Sequence, residues 1–97
     1  MGATNLQPYT NEEILLATFN RALAHPARVK MLRLLQQQKS FRNCDMANAL
    51  RLSQSTVHRH IYTLHQAGFV HLEYADKQYF VTLNKDNQSV YLDLLTK

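Results

Sequence analysis

The stretch from Ser53 to Tyr62 crowds Ser53, Gln54, Ser55, Thr56, His58, Arg59 and Tyr62 into about three helical turns. These side chains offer hydroxyl, carboxamide, imidazole, guanidinium and phenol groups, and what they share is directed hydrogen bonding. A guanidinium fits the two acceptors of guanine, a carboxamide fits the donor and acceptor of adenine, and hydroxyls reach bases or phosphates. The chemistry implied is recognition of base-pair edges, with Arg59 and Gln54 as base-reading groups. A plainer reading stands beside it, in which Ser53 caps a helix and the rest is a solvated helix face. The two are compatible, since a cap and a reader can share one turn.

Other chemistries find little footing. With only 2 glycines there is no Gly-rich phosphate loop, and no nucleophile elbow, Ser/His/Asp set or carboxylate pair emerges from the scattered residues. The 5 histidines do not converge on one point. His58 and His60 are two apart on a helix and diverge, His65 stands alone, and His71 alternates along a strand. His25 reads as a helix-opening residue before Pro26, and His60, one turn from Val57, as a half-buried hydrogen-bonding group. Neither an enzyme nor a metal site nor any cofactor is expected. Cys44 is the one cysteine, which excludes an intrachain disulfide and fits a reducing, cytoplasmic setting. Its place near a helix start makes it a candidate redox sensor, with a structural cysteine as the commoner alternative.

The elements that must position these groups can be read from periodicity. Glu12 to Leu23 spaces Ile14, Leu15, Phe19, Ala22 and Leu23 as a helix, capped by Thr10 or Asn11. Pro26 suits the first position of a second helix carrying Val29, Met31, Leu32, Leu34 and Leu35, apolar over more than one face and so expected to be central. Ser40 to Arg42 reads as a short extended segment. Asn43 or Asp45 is the expected cap of a short third helix through Leu50, and Arg51-Leu52-Ser53 is a tight turn. A fourth helix runs from Gln54 to Ala67, stopped by Gly68, with Val57, Ile61 and Leu64 on its inner face. Phe69 to Tyr74 and Gln78 to Leu83 are β-rich and joined by Ala75-Asp76-Lys77, and Asp86 to Lys97 reads as a fifth helix.

The predicted fold is mainly α with a small β-hairpin: a winged helix-turn-helix of about five helices and a two-stranded wing. One domain is expected over residues 11–97, preceded by a flexible segment over 1–10 that lacks the pattern of a signal peptide. No apolar run is long enough to span a membrane. The chain of 97 residues carries 11 Lys and Arg against 7 Asp and Glu, for a formal charge of +4, which fits a polyanionic partner. Placement sharpens this, because Lys39, Arg42, Arg51 and Arg59 face Asp45 alone between residues 39 and 65. Lys39, Arg42 and Tyr62 are candidate phosphate contacts. Lys77 and Gln78, at the hairpin tip, either reach a minor-groove edge or phosphates or are ordinary turn residues.

Three motifs in this order resemble the ArsR/SmtB family of winged-helix repressors. Residues 22–32, Ala-Leu-Ala-His-Pro-Ala-Arg-Val-Lys-Met-Leu, look like its opening signature. Residues 52–60, Leu-Ser-Gln-Ser-Thr-Val-His-Arg-His, look like its recognition helix, and Ala67-Gly68-Phe69-Val70 like its helix-to-wing junction. The similarity runs from about residue 14 to 95. It implies a homodimer held by the first and last helices, with Leu15, Phe19, Val90, Tyr91, Leu94 and Leu95 as candidate interface residues; the alternative is that these stripes close the monomer core. It also implies double-stranded DNA as partner, through an inverted-repeat operator, and repression. The chain departs from the family's metal sites. Arg42-Asn43-Cys44-Asp45 stands where a Cys-x-Cys-Asp-like stretch would supply thiols, and the last helix offers Asp93 without histidines. The inducing signal is not legible. A winged-helix module for protein partners is the competing function, although it has no need of Gln54, Ser55, His58 and Arg59 together on one surface.

Overall fold

A computed structural model of the chain describes residues 8–96. The element order is α1 (Asn11–Ala22), α2 (Pro26–Gln37), β1 (Phe41–Arg42), α3 (Asn43–Leu50), α4 (Gln54–Gln66), β2 (Val70–Ala75), β3 (Gln78–Leu83) and α5 (Lys85–Leu95). The helix starts follow local chemistry. Thr10 and Glu13 form a reciprocal capping box on α1, worth about 1 kcal/mol. Thr10 thus belongs to the folded unit; of the segment expected to be flexible, residues 1–7 lie outside the described residues. His25 caps α2 through its ring and Pro26 takes the first helical position, where its missing N–H costs nothing. The third helix departs from expectation: Arg42 is its N-cap and no side chain, neither that of Asn43 nor that of Asp45, closes its first turn.

The wing is larger than the two strands expected. The sheet has three antiparallel strands in the order β1-β3-β2, with Phe41 opposite Val81 and Arg42 opposite Phe80. The extended residues before α3 are therefore drawn into the wing, and Phe41 is buried there. The β2–β3 turn is also tighter than expected. Ala75 pairs with Gln78, leaving only Asp76 and Lys77 between the strands, at φ 51° and 63°. Two successive left-handed residues make a type I′ turn, which matches the twist of the strands it joins.

The core lies where α2, α3 and α4 meet the sheet. Met31, Met46, Val57, Ile61, Phe69 and Val81 are all buried there, which accounts for the three-residue and four-residue spacing along the helices. Phe19 joins them. At 1% exposure in a single chain it has no surface to offer a partner, so its assignment to a dimer interface is corrected: its ring packs on Phe69 and Tyr91, 4.9 and 5.8 Å away between centroids. Helix α2 buries only one face, through Met31 and Leu35, while Val29 is exposed. It is thus less central than its composition indicates.

Candidate nucleic-acid interface

The turn before α4 sets the start of that helix. Arg51 ends α3 in the left-handed region at φ 57°, where its N–H and that of Leu52 return to the last carbonyls of the helix. The reversal brings Ser53 to the start of α4 in extended geometry. Its Oγ accepts the Thr56 N–H at 3.2 Å and donates to Thr56 Oγ1 at 2.9 Å, with Ser55 Oγ 3.3 Å away. The cap role foreseen for Ser53 and the polar cluster are thus one hydrogen-bonded unit.

Beyond that turn the helix separates its faces. Val57, Ile61 and Leu64 are at most 1% exposed, whereas Gln54, Ser55, Arg59 and Tyr62 are exposed and Thr56 and His58 half-buried. The residues singled out on α4 therefore share an outer surface, anchored by burial of the opposite side. Full burial of each of those three side chains contributes on the order of 2 kcal/mol, so the helix cannot roll without large cost. Tyr62 spends its hydroxyl oxygen locally, accepting from Gln66 Nε2 at 2.9 Å.

The wing joins this surface through rings that sequence reading missed. His58 on α4 lies 5.1 Å from Tyr79 on β3, and Tyr79 lies 4.9 Å from its cross-strand partner Tyr74 on β2. A signal was present: residues 74 and 79 sit symmetrically about the turn, which places them opposite one another. Lys77 is exposed at the tip and Gln78 half-buried beside it.

Two candidate phosphate contacts stand apart. Arg42 holds Asp45 with two bonds, Nε to Oδ2 at 2.9 Å and Nη2 to Oδ1 at 3.2 Å. That pairing holds the Asp45 carboxyl below the usual carboxylate range and raises the guanidinium, so Arg42 brings little net charge to DNA. Lys39 lines a groove with Thr82, Leu83 and Lys85, at the end of β3 opposite the wing tip. A strand of that length spans about 17 Å, which sets Lys39 well apart from Lys77 at the wing tip. Cys44 is half-buried, its thiol directed at Asp45 Oδ1 at 3.9 Å. Among the described residues no three His, Cys, Asp or Glu side chains are grouped to hold a metal, and no helix is long and apolar enough to cross a membrane.

A second feature behind α4 was only half foreseen. Arg28 Nε donates to Ala22 O at the end of α1, at 2.6 Å, and its Nη1 meets His60 Nδ1 at 3.3 Å. The rings of His25 and His60 lie 4.4 Å apart. Burial first, then the charges of His25, Arg28 and Arg59, push the His60 pKa below the ordinary histidine range.

The candidate dimer residues divide by exposure. Leu15 and Val90 are each 39% exposed and Leu95 is 50% exposed, while Tyr91 and Leu94 are half-buried against the core. The Tyr91 hydroxyl donates to Asn20 Oδ1 at 2.8 Å and ties α5 to α1. Leu92, 54% exposed, is an apolar surface residue that sequence reading passed over.

This architecture recurs in solved structures. NolR from Sinorhizobium fredii superimposes with a TM-score of 0.72 at 24% identity, covering 93% of each chain. HlyU from Vibrio cholerae gives 0.72 at 21% identity, over 84% of this chain and 90% of its own. The homodimeric winged helix-turn-helix DNA-binding domain Mb0332 from Mycobacterium bovis gives 0.73 at 19% identity, over 98% of this chain and 82% of that fragment. At such identities the likeness speaks for the fold alone. No curated protein sequence matches the chain. The family model described as bacterial regulatory protein, arsR family, matches residues 25–71, from the His25 cap through α4 into β2. That match takes in the whole helix-turn-helix, so this unit of the chain is that of the arsR family, and the chain is a DNA-binding transcriptional regulator of the winged helix-turn-helix fold.

Proposed function

We propose that the chain is a homodimeric repressor that reads an inverted-repeat operator with α4 and works in the cytoplasm. The observation that carries this is the outer face of α4, where Gln54, Ser55 and Arg59 stand exposed over a helix locked by Val57, Ile61 and Leu64. In this reading Arg59 and Gln54 contact base edges in the major groove, the Ser53–Ser55–Thr56 cluster meets phosphates and bases, and Lys77 adds a backbone contact from the wing. Pairing through α1 and α5, with Leu15, Val90 and Leu95 between protomers, sets two reading helices one DNA turn apart, about 34 Å. The homodimeric Mycobacterium bovis domain, of the same fold, supports that assembly. The bound dimer occludes a promoter.

Selection of bound duplexes from a random pool with the full chain, followed by a salt titration of the winner, tests the reading. A two-fold motif whose affinity falls steeply with salt is expected. Absence of enrichment would overturn it in favour of a winged-helix module for protein partners.

A further inference from the structure

The contact behind the reading helix has a chemistry of its own. His25 Nδ1 accepts the Ala27 N–H at 3.0 Å, and His60 Nδ1 lies 3.3 Å from Arg28 Nη1. A backbone amide and a guanidinium have only hydrogens to offer, so both Nδ1 atoms must present lone pairs. The arrangement therefore exists only with both rings neutral and carrying their proton on Nε2. Arg28, which also grips the Ala22 carbonyl, makes this the point where the end of α1, the start of α2 and the middle of α4 are joined.

We propose that His25, Arg28 and His60 form an acid-sensitive latch that fixes α4 against the start of α2, and that protonation of the imidazoles opens it and weakens DNA reading. Placing a proton on His60 Nδ1 turns an acceptor into a donor that faces another donor. It also sets an imidazolium against the groups that face it: the ring of His25 from the α1–α2 junction, the guanidinium of Arg28 from α2 and that of Arg59 from α4 itself. Every one of these is cationic or becomes so on acidification, so repulsion accompanies the lost bond. A proton on His25 Nδ1 likewise removes the cap of α2. Val57, Ile61 and Leu64 keep α4 in place, but His60 adjoins Arg59, so release of the ring removes local support from the Arg59 side chain. Only the effect on DNA rests on the function proposed above; the latch itself can be tested without DNA.

The test follows amide exchange of Ala27 and the ring protons of His25 and His60 by NMR in the full chain, from neutral pH to about pH 5. After correction for the intrinsic pH dependence of exchange, Ala27 protection is expected to fall about tenfold as the two latch rings take up protons. The double variant His25→Asn/His60→Asn keeps a capping oxygen and an acceptor without a titrating ring, and its Ala27 protection is expected to stay level. Protection that stays level in the unmodified chain while both rings take up protons, or falls equally in the variant, overturns the latch. In parallel, affinity for the selected duplex is expected to drop on acidification more in the unmodified chain than in the variant. Parallel affinity profiles overturn the link to DNA reading. A chain that binds no duplex even at neutral pH overturns the function instead, and the exchange result then decides the latch.

Discussion

His58 on α4 and Tyr79 on β3 stand ring against ring at 5.1 Å, and Tyr79 passes the contact on to Tyr74 at 4.9 Å. Helix α4 and the wing are thereby aligned as one surface, each ring pair adding about 0.5–1.5 kcal/mol beyond its buried area. Tyr79→Ala removes both contacts. It is expected to cost about 1–2 kcal/mol of stability in denaturant titration and to weaken duplex binding several-fold. Unchanged affinity in that variant would show that the wing takes no part in binding.

Arg59 and Lys77 are expected to fail differently. Arg59→Ala should lose about 1–3 kcal/mol of binding and relax base preference at one position of each half-site. Lys77 sits at φ 63°, where a side chain is strained, so Lys77→Gly should leave the fold intact or stabilise it by up to about 1 kcal/mol. The same variant should weaken all duplexes alike and lower the salt slope by about 1. Quantitative binding across a panel of mismatched duplexes separates the two outcomes.

Ser53 joins stability to recognition, and two substitutions part them. Ser53→Ala removes the acceptor for the Thr56 N–H and is expected to cost about 1 kcal/mol of unfolding free energy. Ser53→Asp keeps a strong cap and complements the helix N-terminus, so stability is retained. Its carboxylate opposes the phosphate backbone, and duplex affinity should fall well below that of the Ala variant. Equal affinity for the two would show that Ser53 does not face DNA.

The proposed dimer surface and the core are distinguished by two further variants. Leu15→Glu/Leu95→Glu places charges on exposed positions, so the circular dichroism of the chain should persist while sedimentation reports a monomer. Phe19→Ala should instead destabilise the fold by about 3–5 kcal/mol, since it empties a site inside the protomer. A dimer unaffected by the charged pair would move the interface elsewhere.

Stability should also depend on pH through His60. Its folded pKa lies below the unfolded value of about 6.5, so the unfolded chain binds more protons in the interval between them. The contribution is complete above the unfolded value and is lost as pH falls through that interval toward the folded one. Denaturant titrations at a series of pH values should show the decline in the unmodified chain and a shallower one in His60→Asn.

Much of this architecture was legible in the residues. The spacing of Val57, Ile61 and Leu64 fixed which side of α4 is inward, and Gly68, at φ 85°, ends the helix one residue past its Ala67 cap. What stayed hidden depended on partners distant in sequence. Phe41-Arg42 looks extended, but its place in the sheet is set by Val81 and Phe80 forty residues on. Phe19 has the spacing of a surface stripe, and only the arrival of Phe69 and Tyr91 encloses it. The charge of Arg42 counted toward DNA until Asp45, a turn away, claimed it. The meeting of His25, Arg28 and His60 had no local sign, because it depends on how α2 crosses α4.

The pairing of β1 with β3 also bears on how the protein stays dispersed. Beside Phe80 and Val81 the middle strand is already occupied, so a stray chain seeking backbone partners is left with the two-residue β1 and the outer rim of β2. Along that rim His71 and Glu73 are exposed among the strand's apolar residues, and an edge interrupted by polar side chains is a poor template for further strands. The short strand before α3 thus acts as a guard against aggregation, a service unrelated to any DNA sequence.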